Sequence, residues 1–234
     1  MTQRPAGVMG ASRLENLGRR YKTDKMHSAH GYLSLYSILF SHLTDTVVNL
    51  TEIGLFNGAS ALMWTDFFPR AHIFGIEKAP SDVLRERLQA RIDAGRITLL
   101  QCDSTDPQKM HQLFAKETMD IIIDDGAHDG RSQQITLASL WYAVRPGGLY
   151  IIEDVLFDHR HRMTSGCGEP SFIFHRGDSY GNVTREILRQ HDVFVADTLT
   201  ANFNSRWWSE RTVCDGHDSH AIVIRKRETI ESGD

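Results

Sequence analysis

Two acidic pairs, each closing an apolar run, carry the first chemical signal in this sequence. Asp124-Asp125 ends Met119-Asp-Ile-Ile-Ile and leads into Gly126-Ala-His128; Glu153-Asp154 ends Gly147-Gly-Leu-Tyr-Ile-Ile. Short β-branched runs bounded in this way read as buried parallel strands. The stretch from Ser132 to Val144 between them is long enough for a crossover helix. Neighbouring strands lie about 5 Å apart, so both pairs would share the carboxyl edge of the sheet, where open α/β folds bind ligands. Uncompensated carboxylates that close repel one another. A positive group between them relieves the repulsion, and a divalent cation is the simplest candidate.

The elements that must hold these groups follow from periodicity. Strands are expected at Val48–Ile53, His72–Glu77, Arg96–Asp103, Asp120–Asp124, Leu149–Glu153, Val193–Asp197 and Ala221–Arg225. Helices are expected at Ala59–Phe68, Ser81–Ala94 with Ser81 as N-cap, Pro107–Glu117 and Asn182–Gln190. This alternation predicts an α/β fold: a Rossmann-like, doubly wound, mostly parallel seven-stranded sheet with helices on both faces. Residues 1–18 read as weakly ordered, and 19–45 carry two helical patches, so 1–45 is expected as an N-terminal helical cap or lid and 46–228 as the ligand-binding domain. The stretch 155–180, rich in Gly, His and Arg, breaks the rhythm; it follows strand five and is expected to fold over the active edge as a substrate loop.

A second set of residues points to a nucleoside. Gly54 and Gly58 permit a tight turn after strand one, but the spacing is not GxGxxG, so the dinucleotide fingerprint is absent. Strand two ends in Glu77, where an acid commonly holds ribose hydroxyls; strand three ends in Asp103, which could accept from an adenine amino group. Individually each is as well explained as a solvated strand end. Together on successive strand ends they imply an adenosine moiety with no pyrophosphate requirement.

With Tyr21-Lys-Thr-Asp-Lys25, His30-Gly-Tyr32 and Tyr36, Glu52-Ile-Gly54, Asp124-Asp-Gly-Ala-His128, Gly147 to Asp154 and His220 to Lys226 in this order, the chain resembles class I S-adenosylmethionine-dependent methyltransferases. More narrowly it resembles the Mg²⁺-dependent O-methyltransferases of macrolide sugars. The resemblance implies Asp125, Glu153 and Asp154 as metal ligands, with Asp124 a strand-end residue beside them, and His128 as catalytic base. It puts Thr23 and Asp24, otherwise an N-cap, over the cofactor as part of a lid; with Glu52, Gly54, Asn57, Gly58, Glu77, Asp103 and Asp124 they form the expected cofactor-binding set. Ala127 stands where the family usually has Ser. The expected cofactors are S-adenosylmethionine and Mg²⁺, and the expected partner is a small hydroxylated acceptor, a glycosyl group of an antibiotic-type secondary metabolite. A phenol or catechol acceptor, or a nicotinamide-dependent oxidoreductase on the same fold, are the alternatives.

Composition narrows the setting. The 234 residues, 41% hydrophobic, suit one α/β domain with a full core. Lys+Arg 26 against Asp+Glu 30, net −4, gives no electrostatic reason for nucleic-acid binding. No apolar stretch approaches the ~18 residues that span a bilayer, and the start of the chain has no apolar signal core. Three scattered cysteines, Cys102, Cys167 and Cys214, argue for a reducing cytoplasm and against a zinc site. A homo-oligomer is compatible with all of this. Tyr32 and Tyr36, at helical spacing, read as core; Trp207-Trp208 as the edge of the last hairpin; Arg131 as a surface charge.

Overall fold

The computed structural model describes residues 12–26, 28–46, 48–155, 179–198 and 219–228. Most of the expected substrate loop, and Trp207-Trp208, lie outside the described residues. The elements in chain order are α1 (Arg13–Tyr21), α2 (Tyr32–Phe40), β1 (Asn49–Ile53), α3 (Ala59–Phe67), β2 (His72–Glu77), α4 (Asp82–Asp93), β3 (Ile97–Gln101), α5 (Pro107–Leu113), β4 (Met119–Asp124), α6 (Gly130–Leu140), β5 (Val144–Ile152), α7 (Ser179–Gln190), β6 (Asp192–Asp197) and β7 (His220–Arg225).

The sheet has seven strands in the order β3-β2-β1-β4-β5-β7-β6. Among the described residues, only β7 runs against its neighbours, β5 and β6. The strand order reverses between β1 and β4, which pair in parallel with Ile53 opposite Asp124. Asp124 in turn lies opposite Ile152 of β5, so the two acidic pairs do sit on neighbouring strands at one edge. This reversal is the crevice where open α/β sheets take ligands.

Alternation along the central strands explains why they read as unbroken apolar runs. Ile121, Ile123 and Ile151 enter one core with α1 to α4 residues such as Leu14, Tyr36, Trp64 and Leu88. Ile122, Tyr150 and Ile152 enter a second core with Met110, Leu137 and Ile187 from the opposite layer. A strand buried on both faces has no polar side to show.

The start of the chain departs from expectation. Residues 13–21 form a helix, although 13–18 read as weakly ordered. Ser12 caps it by accepting from the Glu15 N–H at 3.1 Å. Only Leu14 and Gly18 are buried, and the anchoring is polar: Asp66 of α3 accepts from the Tyr21 hydroxyl at 2.5 Å and from Arg91 at 2.7 Å, while Arg13 donates to the Asp66 carbonyl at 2.8 Å. Hydrophobic periodicity cannot report a helix fastened by a shared carboxylate. Lys22, left-handed at φ 58°, ends it, and the chain then turns through Thr23 to Gly31 toward the carboxyl edge.

Candidate active site

A cavity of about 950 Å³ opens along the carboxyl edge. Asp24, Gly54, Phe56, Asn57, Glu77, Lys78, Asp103, Asp125, His128 and Asp154 are among its lining residues. A smaller cavity of about 300 Å³ shares Asp24, Gly54, Phe56, Asn57 and Asp125 with it and adds Thr23 and Met26 of the N-terminal turn. The larger falls within the ~300–1,000 Å³ typical of small-molecule sites.

The acids expected to hold a nucleoside are fixed in place by their own neighbours. Glu77 lies at the cavity wall with one carboxylate oxygen accepting from the Leu55 and Phe56 N–H groups at 3.0 and 3.3 Å, and the other from Ala79 at 3.3 Å. Its carboxylate is therefore held still by the very turn it serves. Asp103 is bonded by Lys78 at 2.7 Å and by the hydroxyl and N–H of Thr105 at 2.6 and 2.9 Å. The Lys78 bond, then those of Thr105, pull its pKa down to about 2, so it stays a charged acceptor. Phe56, which the sequence did not single out, is 79% exposed at φ 47° and lines both cavities.

The two glycines have different roles. Gly54 has φ +81°, and a Cβ there would lie 2.0 Å from the carbonyl oxygen of Asp125. The turn after β1 thus touches the turn after β4 main chain to main chain. Gly58, at φ +77°, is pressed by Leu84 and Leu88 of α4, where a Cβ would lie 2.9 Å from each. It is absent from the lining of either cavity; the need there is helix packing. Asn57 lines both cavities while its side-chain oxygen accepts from Ala59 N–H and Arg87 at 3.0 Å each.

Each acidic pair splits in two. Asp125 and Asp154 line the cavity, whereas Asp124 and Glu153 are 2% and 1% exposed and lie beneath it. Adjacent residues leaving a strand point to opposite faces, so one member of each pair is turned into the protein. Asp124 takes the Gly126 N–H and the Tyr150 hydroxyl at 3.3 Å each, and burial raises its pKa to about 7. Glu153 accepts from Lys25 Nζ at 2.6 Å and from the Tyr36 hydroxyl. Glu52, expected at the cofactor, is also placed below the cavity. It is fully buried, bonded to Ser60 and the Trp64 indole at 2.9 and 3.2 Å, and burial lifts its pKa to about 7.

On the cavity side, Asp125, His128 and Asp154 each offer a ligand atom within 4.8 Å of the others. Two carboxylates with one imidazole at the rim make a donor set that a hard divalent cation could use. Glu153, expected as a third ligand, is outside this group because Lys25 and Tyr36 hold both its oxygens. His128 is half exposed, with Nδ1 3.5 Å from Asp154 Oδ2. Both His128 and Asp154 adopt left-handed backbone, φ 54° and 52°, which non-glycine residues occupy at a cost. Those turns aim the two side chains at one another.

The roles of three residues at this edge were not legible in the sequence. Lys25 is buried, its Nζ 2.5 Å from Asp125 Oδ2, 2.6 Å from Glu153 Oε2 and 3.8 Å from Glu52. Burial opposes its charge, but the three acids more than offset this and hold its pKa well above the ordinary lysine value. Tyr32 donates to Asp154 Oδ1 at 2.8 Å and accepts its N–H at 2.9 Å. Tyr36 is the matching partner of Glu153. The two tyrosines are core, as read, but their hydroxyls brace the acidic edge. One turn of helix puts residues four apart on the same face, so the pair's common target was the available signal.

Residues 51–155 match the family model of a methyltransferase domain. The chain is 33% identical over 150 residues to the mycinamicin VI 2''-O-methyltransferase of Micromonospora griseorubida, an alignment spanning 61% of this chain and 36% of that protein. It is 34% identical over 155 residues to the 8-demethyl-8-(2-methoxy-alpha-L-rhamnosyl)-tetracenomycin-C 3'-O-methyltransferase of Streptomyces olivaceus, spanning 62% and 38%. The chain therefore matches well under half the length of these curated relatives. The crystal structure of the MycE methyltransferase of mycinamycin biosynthesis, in complex with Mg and SAH, superposes with a TM-score of 0.63 at 23% identity, covering 95% of this chain and 57% of that one. The fold is that of the class I methyltransferases, and the resemblance to the macrolide-sugar enzymes stands.

Proposed function

We propose that this chain, whose residues 51–155 form a methyltransferase domain, moves the methyl group of S-adenosylmethionine onto a hydroxyl oxygen with Mg²⁺ as cofactor. We assign the acceptor to a glycosyl group of an antibiotic-type metabolite, in line with what its relatives are named for. One observation carries the reading: the nucleoside cavity is continuous with the Asp125–His128–Asp154 cluster, so donor and activated oxygen would meet in one space.

In this reading Glu77 receives the ribose hydroxyls and Asp103 the adenine amino group. Thr23, Asp24 and Asn57 stand by the small cavity that adjoins the methionine side. Asp125 and Asp154 present carboxylate oxygens to the cation, and Glu153 is the acid directly behind them. A bound Mg²⁺ would lower the pKa of a hydroxyl and orient it. The hydroxyl oxygen attacks the methyl carbon as the carbon–sulfur bond breaks, giving an ether and S-adenosylhomocysteine. His128 takes the hydroxyl proton as general base; imidazole is a poor ligand for a hard cation, which leaves it free for that step. The Asp154 carboxylate beside its Nδ1 stabilises the imidazolium that forms.

The test is a screen of glycosylated and phenolic acceptors with a labelled methyl donor, with and without EDTA and Mg²⁺. Label is expected on a sugar hydroxyl only when Mg²⁺ is present. Transfer that survives chelation, or that goes only to phenols, overturns the reading.

A further inference from the structure

Lys25 takes no part in the chemistry assigned above, yet it occupies the acids that the cation would use. Its ammonium is within 2.6 Å of Asp125 and Glu153 and 3.8 Å from Glu52. It cannot drift away. The Lys25 carbonyl accepts from Leu33 at 3.1 Å, its N–H meets the Thr23 hydroxyl at 3.4 Å, and Gly31 N–H closes the loop on Met26 at 2.9 Å. The side chain is thus a positive charge fastened to α2 and inserted under the carboxyl edge. Asp154, by contrast, is left to Tyr32, His30 and His128.

A buried ammonium is retained only where its charge is matched. Here it satisfies one oxygen of Asp125 and one of Glu153, two of the three acids that the family resemblance implies as metal ligands. A divalent ion entering between Asp125 and Asp154 meets both a fixed like charge and carboxylates already in use. Like charges at such range in a partly buried site repel by several-fold more than in water.

We propose that Lys25 is a tethered competitor of the divalent cation, a positioning residue that keeps the acidic edge assembled while the ion is absent and weakens the ion's hold when it arrives. The proposal rests on the reading of Asp125 and its neighbours as a cation site. A merely structural lysine would have the opposite signature, since its loss would disorder the ligands and weaken binding.

Mn²⁺ titrated into the full chain and into Lys25→Met, with free ion followed by electron paramagnetic resonance and melting followed in parallel, separates the two. The variant is expected to bind Mn²⁺ about tenfold or more tightly than wild type, to melt lower without the ion and to gain more from it. Should the variant be unfolded without metal, millimolar Mn²⁺ is expected to fold it. If wild type binds Mn²⁺ and the variant binds it equally or less tightly, or stays unfolded throughout the titration, the competitor role falls. If wild type itself binds none, the cation reading falls first, and this proposal with it.

Discussion

The Tyr32 hydroxyl is bonded twice to Asp154, donating to its carboxylate at 2.8 Å and accepting its backbone N–H at 2.9 Å. A single phenol thereby fixes both the side chain and the left-handed turn that carries it. Tyr32→Phe keeps the ring in the core and removes both bonds, leaving a buried N–H without its acceptor. A loss of about 1–3 kcal/mol in unfolding free energy is expected, together with roughly tenfold weaker Mn²⁺ binding from the loosened ligand. Denaturant melts and the same metal titration measure each part, and an unchanged metal affinity would count against Asp154 as a ligand. The expected direction is opposite to that of Lys25→Met, which makes the two variants controls for each other.

His128 offers a kinetic and a thermodynamic prediction. His128→Ala should lower kcat by roughly 10²–10⁴ while S-adenosylhomocysteine still binds with near wild-type affinity by calorimetry. Ordinarily glycine is less stable than alanine by roughly 0.5–1 kcal/mol in a regular element. At φ 54° that order should invert, with His128→Gly melting above His128→Ala. The reverse order would mean that the left-handed backbone at this position is not enforced by the fold.

Glu52 should make the protein less stable as the solution becomes more alkaline. Burial first, and then the neighbouring Asp125, lift its pKa from 4.5 to about 7 in the folded chain, against the pull of Lys25. The folded state therefore holds the proton more tightly than the unfolded one. Its contribution is fully present below about pH 4.5 and lost as the pH rises through about 7. The change amounts to no more than about 3.5 kcal/mol. Unfolding midpoints across that window should slope downward in wild type and less steeply in Glu52→Gln, where Asp124, also raised to about 7, keeps part of the slope. Parallel slopes in the two proteins would show that Glu52 is ionised throughout.

Much of this architecture is written locally. Ile121-Ile122-Ile123 has to be a central strand because both its faces are buried, and the neighbouring strands could be placed from the crossover length alone. The acids at the strand ends announced an edge site. What local pattern could not show is direction. Asp124-Asp125 and Glu153-Asp154 look like four equal ligands, but the chain turns one of each pair inward, and the left-handed turn at Asp154 is set by Tyr32, 122 residues away in sequence. Lys25 is hidden for the same reason. Its partners Asp125 and Glu153 are 100 and 128 residues distant, and nothing near it in sequence marks it as buried. Helix α1 was missed because its attachment is a carboxylate shared among several donors, a pattern with no periodicity.

The contact between Gly54 and the Asp125 carbonyl has a consequence for how such a site can change over time. The turn after β1 and the acid-bearing turn after β4 are spaced by main-chain atoms alone, with no side chain between them. That distance is insulated from ordinary point substitution, because apart from Gly54 itself there is no side chain there to vary. Under the proposed function, the gap between methyl donor and receiving oxygen would be inherited with the backbone, while adaptation to a new acceptor would be left to residues such as Phe56, whose exposed ring can be exchanged without moving either turn.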